Sequence, residues 1–210
     1  MLQTHIGYKI WQEPKTNVMP ELKRVAGEAR PVVFATAVPP ASEAIAVEAP
    51  DYTRAVNGKG LSWQAIAHLG RTKGAVLALP QGAPATTEAD GVRLEYDVAL
   101  AKGGDVTAQL YMVPAIDAKA GGGIRLGVSL DGGPVQTLLF NLIPTPGEGT
   151  TSDQKLWIEA VKNNVHIVSA KFPAVAAGKH TLKIWRLDDN AVLQKLVLST
   201  GALPQSYLGP

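Results

Sequence analysis

The chain has 210 residues, with 20 Lys and Arg against 18 Asp and Glu, so its formal net charge is only +2. Hydrophobic residues make up 46% and charged residues 18%; this is too apolar for a disordered chain, and near-neutrality argues against nucleic acid or an anionic membrane surface as partner. There is no cysteine, which excludes disulfides, Cys-ligated zinc, iron–sulfur clusters and thiol catalysis. No run approaches the roughly 18 apolar residues of a membrane span. The opening Met1 to Lys9 has no basic segment followed by an apolar one, so it does not read as a signal peptide. The chain is then cytoplasmic, a mature form, or a piece of a longer protein.

Residues 1–44 read as an N-terminal extension and linker. Pro14 and Pro20 disfavour regular structure around Asn17, and Glu21 to Ala29 can form a short helix that ends before Pro31. Pro31, Pro39 and Pro40 then extend the chain. From residue 45 onward, short apolar runs alternate with Gly, Pro and Asp turns. The predicted strands are Ile45–Glu48, Ala75–Leu79, Val92–Val98, Val106–Val113, Ile124–Leu130, Val135–Leu142, Val165–Phe172, Thr181–Leu187 and Val192–Leu198. Asp131-Gly132-Gly133 is a hairpin signal, and Gly178 marks a second tight turn. Strands at this spacing predict an all-β fold, an antiparallel β-sandwich spanning 45–210. One segment breaks the pattern. Residues 153–163, behind the N-cap candidate Ser152, carry Leu156, Trp157, Ala160 and Val161 at helical spacing and predict one short surface helix.

No catalytic set emerges. Glu95 and Asp97 share one face of a strand, but Leu94, Tyr96 and Val98 claim the inward face, so both carboxylates are expected in solvent. Asp188-Asp189-Asn190 reads as turn chemistry. None of His5, His68, His166 and His180 has a second ligand at metal spacing, so no metal site is predicted. There is no Gly-x-Ser-x-Gly elbow, and the glycine runs near 121 and 132 do not open a helix after a strand.

The aromatic residues are more informative, because Trp and Tyr rings stack on the C–H faces of sugars while charged and amide groups take the hydroxyls. The candidate carbohydrate-binding residues are Trp63, in the loop after Gly58-Lys59-Gly60, with Arg71 shortly after it, and Tyr52 and Trp185. Alternation alone does not decide which side of its strand Trp185 faces. Trp157 is expected to anchor the helix to the sheet.

Several stretches are similar to one family. Glu48-Ala-Pro-Asp-Tyr-Thr-Arg54 and Trp63-Gln-Ala-Ile-Ala-His-Leu-Gly-Arg-Thr-Lys-Gly-Ala75 resemble the opening of the C-terminal domain of glycoside hydrolase family 115. Gly178-Lys-His-Thr-Leu-Lys-Ile-Trp-Arg-Leu-Asp188, Val192 to Leu198 and the final Gly201 to Pro210 resemble its end, and Trp11-Gln-Glu-Pro14 with Asn17-Val-Met-Pro20 resembles the segment that precedes it. The resemblance implies an accessory domain of a large xylan α-1,2-glucuronidase, periplasmic or extracellular, with a carbohydrate-binding-module-like jelly-roll. The catalytic carboxylates of that family lie in a barrel domain, so none is carried over to this chain.

The implied partners are glucuronoxylan or a related plant polysaccharide, the catalytic domain of the parent hydrolase, and a second copy in a homodimer. An anionic branch would favour Arg71 or Lys73 beside Trp63. The alternative is a structural domain that buries Tyr8, Trp11 and Tyr207 against the barrel or a second copy. The opening also resembles galactose-binding-like modules, in which acidic residues hold a structural calcium. Here Pro50 and Ser199 replace two of those acids, leaving Glu48 with Asp51 nearby. Calcium wants six to eight oxygens, so no cofactor is expected.

Overall fold

The computed structural model describes residues 44–117, 122–143 and 151–203. The chain divides into two units, Met1–Ala37 and Val38–Pro210, and every described residue belongs to the second. The proposed helix at 21–29, the linker before residue 44, and Tyr8, Trp11 and Tyr207 lie outside the described residues, whereas Ser152, expected as the N-cap, falls within the helix, which begins at Thr151.

Eleven strands run through the described residues: β1 (Ala44–Glu48), β2 (Arg54–Val56), β3 (Ser62–Ala67), β4 (Gly74–Leu79), β5 (Arg93–Leu100), β6 (Gly104–Met112), β7 (Ile124–Leu130), β8 (Gln136–Phe140), β9 (His166–Val175), β10 (Gly178–Arg186) and β11 (Leu193–Ser199). They form two antiparallel sheets. The first has the order β3-β4-β11-β6-β9, with β1 also on β11, and the second has the order β2-β5-β10-β7-β8. Each strand alternates, so Leu94, Tyr96 and Val98 of β5, Leu126 and Val128 of β7, and Leu182 and Ile184 of β10 turn inward. They meet Ala108, Leu110 and Met112 of β6 and Leu196 and Leu198 of β11 in one apolar core. Each aliphatic side chain fully buried there contributes about 1.5–3 kcal/mol. The Tyr96 hydroxyl donates to the Ala49 carbonyl at 2.8 Å, tying the turn after β1 to the second sheet.

The fold is thus the predicted all-β sandwich, and all nine predicted strands are present. Two more appear. β2 has three residues, too few to show alternation. β3 runs through Trp63, which the Gly58-Lys59-Gly60 turn signal alone would place in a loop. The Gly58–Leu61 bridge, with Lys59 and Gly60 at positive φ, closes that loop two residues earlier.

Helix α1 (Thr151–Asn163) extends the predicted segment by two residues. It ends where Asn164 adopts the left-handed conformation and the Asn164 and Val165 amides donate to the carbonyls of Val161 and Ala160 at 3.0 Å. Ala160 is buried and Trp157 half-buried, while Leu156, Ile158 and Val161 are exposed. Among the described residues, no helix is long and apolar enough to cross a membrane.

A candidate glycan-binding face on the second sheet

The outward residues of β5, β10 and β7 fall into rows, because strand neighbours pair directly and side chains repeat every second residue, roughly 7 Å apart. One row is Arg93–Trp185–Gly127, the next Glu95–Lys183–Ser129, and the third holds Thr181 with Asp97. Asp131, the first residue past β7, borders that third row.

Trp185 is half-buried on this outward face. Its indole N–H donates to Ser129 Oγ at 2.9 Å. A Cβ on Gly127 would lie 2.8 Å from that of Trp185, so only glycine lets the tryptophan lie down across β7. The Arg93 guanidinium sits 4.9 Å from the ring centroid, a cation–π contact. Arg93 Nε donates to Glu95 Oε1 and Arg54 Nε to Glu95 Oε2, both at 2.7 Å.

Glu95 was expected in solvent. It points outward as the alternation requires, yet it is only 2% exposed, because the two guanidinium groups close over it. Burial pushes its carboxyl up, but the hydrogen bonds and charges of Arg93 and Arg54 more than reverse this, so it titrates below its usual range. Arg54, Arg93 and Lys183 against Glu95 leave the middle of the face with an excess of positive charge. The Arg54 side chain, 68% exposed, reaches into solvent.

At the third row the face opens into a cleft of about 460 Å³, lined by Asp97, Val98, Ala99, Asp131, Lys179, His180 and Thr181. Thr181 Oγ donates to Asp97 Oδ1 and its amide to Asp131 Oδ1, each at 2.8 Å. His180 Nδ1 meets Asp131 Oδ2 at 2.8 Å and Nε2 meets the Ala176 carbonyl at 2.9 Å. Both partners are acceptors, so the geometry favours the doubly protonated ring. Donation from His180 Nδ1 to the Asp131 carboxylate raises the His180 pKa, with the Ala176 carbonyl adding to it. Burial pushes Asp131 up, and its hydrogen bonds to His180 and Thr181 outweigh this to lower it. A raised folded-state His pKa means stability that is fully present below about 6.5 and lost as pH rises through the folded value. The melting-temperature advantage of the native protein over His180→Gln is therefore expected to shrink as pH climbs from 6 to 8. A pH-independent gap in paired melts would contradict this pairing.

The other predicted site residues lie elsewhere. Trp63 is only 7% exposed and points into the core from β3, so it is a packing residue and offers no stacking surface. Tyr52 follows the turn after β1 and is half-buried against the core. Arg71 lies in the β3–β4 turn, where its amide donates to Gln194 Oε1 at 2.9 Å. These residues do not converge with Trp185. Asp188, read as a turn residue, instead makes a two-pronged contact with Arg125, Nε–Oδ2 and Nη2–Oδ1 both at 2.8 Å.

Glu48 and Asp51 are the carboxylates that would have to hold a calcium ion at the opening of the domain. Glu48 Oε2 accepts from Thr72 Oγ at 2.5 Å, Lys195 Nζ stands 3.8 Å from Oε1, and Lys73 pairs with Asp51. An ammonium beside each carboxylate opposes a second cation, so this donor set does not suit calcium. Among the described residues, no three His, Cys, Asp or Glu side chains gather as a metal site would require.

The outward row of β5 could have been found from the sequence by asking which polar residues alternate with Leu94, Tyr96 and Val98. Its pairing with Trp185, Lys183 and Gly127 could not, since β5, β10 and β7 are far apart in the chain.

A search of curated proteins finds none that matches. Among solved structures, a family GH115 4-O-methyl-α-glucuronidase, BtGH115A, described as specific for decorated arabinogalactans, superposes with a TM-score of 0.51 at 18% identity. The match covers 84% of this chain but 19% of that one, so the chain spans about a fifth of that protein's length. A family 35 carbohydrate-binding module from Clostridium thermocellum superposes with a TM-score of 0.48 at 14% identity over 73% of this chain and 97% of that one. The C-terminal family 6 module of a laminarinase from Zobellia galactanivorans gives 0.46 at 15% identity over 76% and 100%. The family model described as "Glycosyl hydrolase family 115 C-terminal domain" matches residues 40–210, well over half of the chain, and the chain belongs to that family.

Proposed function

We propose that this domain is a non-catalytic accessory module that binds a glucuronyl-bearing plant polysaccharide on the outward face of its second sheet. The observation that carries the reading is the row of Trp185 and Arg93, set beside the exposed Arg54 and the half-buried Lys183. The flattened indole and guanidinium planes suit the C–H faces of a sugar. The adjacent positive charge suits a uronic acid carboxylate, which guanidinium groups bind with paired hydrogen bonds. Glucuronoxylan is the expected ligand class, and decorated arabinogalactan is the second to try.

Calorimetric titration tests this. Glucuronyl-branched xylo-oligosaccharides are expected to bind at least tenfold tighter than unsubstituted ones, and that preference is expected to vanish in the Arg54→Ala/Lys183→Ala double variant. Equal affinities for both ligands, or no heat at millimolar branched sugar, would overturn the reading.

A second reading is packing against the rest of a longer hydrolase or a second copy. It is favoured by the exposed Leu156, Ile158 and Val161 of α1 and Ile167 of β9, since interface centres are apolar.

A further inference from the structure

The cleft at the end of the face carries chemistry that an acidic branch does not use. Its walls present four carboxylate oxygens, from Asp97 and Asp131, and the Thr181 hydroxyl. Thr181 Oγ spends its proton on Asp97, so its lone pairs face outward as acceptors. Asp131 is held from two sides, by His180 Nδ1 and the Thr181 amide, and its backbone is fixed at a φ of +53°. Asp97 is exposed, and its amide donates to Thr53 Oγ at 2.9 Å. The acceptors are therefore preorganised before any ligand arrives.

The charges balance. Asp97 and Asp131 are offset by His180, whose ring nitrogens both face acceptors, and by Lys179 on the rim. A cation thus gains little net attraction and an anion meets two carboxylates. A neutral ligand with several O–H donors gains most, because hydroxyl-to-carboxylate hydrogen bonds are among the stronger neutral-ligand contacts. The volume falls within the roughly 300–1,000 Å³ of small-molecule sites, enough for a pyranose ring. The position adds a constraint. Asp97 and Thr181 are one row, roughly 7 Å, from Glu95 and Lys183, so a single oligosaccharide can reach both.

From these features we infer that the Asp97–Thr181–Asp131 cleft is a separate subsite that takes the vicinal hydroxyls of an uncharged sugar next to the acidic branch. This rests on the reading that the face binds glycan. The basic middle of the face then selects the branch, while the cleft holds the neutral chain and sets the direction in which it lies.

The test uses the full chain, with xylotetraose as the uncharged probe and its glucuronyl-branched counterpart as the charged one, each titrated against the native protein, Asp97→Ala and Arg54→Ala/Lys183→Ala. Asp97 is solvent-exposed, and a thermal melt of Asp97→Ala verifies that the fold is retained. Asp97→Ala is expected to weaken both probes at least tenfold. The double variant is expected to weaken only the branched probe. If branched sugar binds the native protein and Asp97→Ala leaves both affinities within twofold, the cleft assignment is wrong while the glycan-binding face stands. If the native protein binds neither probe, both fall. A third arm titrates calcium chloride alone under NMR observation of the Asp97 and Thr181 amides. Saturable shifts there would identify a cation site and overturn the assignment to a sugar.

Discussion

Trp63→Ala is expected to destabilise the domain by about 3–5 kcal/mol, the range for removing a buried tryptophan, and to lower its melting temperature by roughly 10 °C or more. The argument rests on position. Trp63 is inward on β3, opposite Ala78 of β4, within the core that both sheets share. Its amide donates to Asn57 Oδ1 at 3.0 Å, so the turn and the indole are set together. The indole N–H is buried without a hydrogen-bond partner, which leaves an uncompensated desolvation cost of about 1–3 kcal/mol in the native state. Trp63→Phe removes that group while keeping most of the volume, so it is expected to cost much less than the alanine change. The folded fraction of either variant is expected to bind sugar as the native protein does. Thermal melts with a binding titration decide the matter: an alanine variant that melts within 2 °C of the native protein and loses its ligand would return Trp63 to the binding site.

Gln194→Ala is expected to cost about 2–4 kcal/mol. Gln194 is the bulged residue of β11, where the pairing with β6 slips between Leu193 and Lys195. The bulge turns its side chain into a buried junction, where it is only 2% exposed. Nε2 donates to the Met112 carbonyl at 3.1 Å and to the Asn164 carbonyl at 2.9 Å, while Oε1 accepts the Arg71 amide. One amide thus joins the end of β6, the α1–β9 turn and the β3–β4 turn. Gly70 approaches it so closely, at a φ of +98°, that a Cβ there would lie 2.5 Å from Oε1. Truncation strands two carbonyls and one amide, each carrying a desolvation cost of about 1–3 kcal/mol, relieved in part as the turns relax. Gln194→Glu is expected to be at least as harmful, since a carboxylate has no N–H to offer the two carbonyls. Urea unfolding of the three proteins checks this, and a loss below about 0.5 kcal/mol would mean that water replaces the amide.

The Trp63 and Trp185 outcomes show where sequence reasoning stops. Both tryptophans alternate with smaller or apolar neighbours, and a period of two assigns residues to faces without saying which face is covered. For β5, β7 and β10 the apolar side is unmistakable, so Arg93, Glu95 and Asp97 were legible as an outward row. For β3, Gln64, Ala65, Ile66 and Ala67 are all exposed, and with no polar stripe to contrast, the inward turn of Trp63 was hidden. Glu95 was misjudged for a different reason. Its orientation follows from alternation, but its burial needs Arg54 of β2, 41 residues away in the chain, together with Arg93.

The sequence by itself determined the class of fold, nine of the strands, the helix and the absence of cysteine chemistry, because these follow from local periodicity, turn residues and composition. Only the tertiary structure decided which side chains meet. The pairing of β5, β10 and β7 brings residues near 95, 129 and 183 into adjacent rows, and sheet-on-sheet packing takes Trp63 out of solvent. Both are long-range choices, set by the burial of whole faces rather than by any neighbour in the chain.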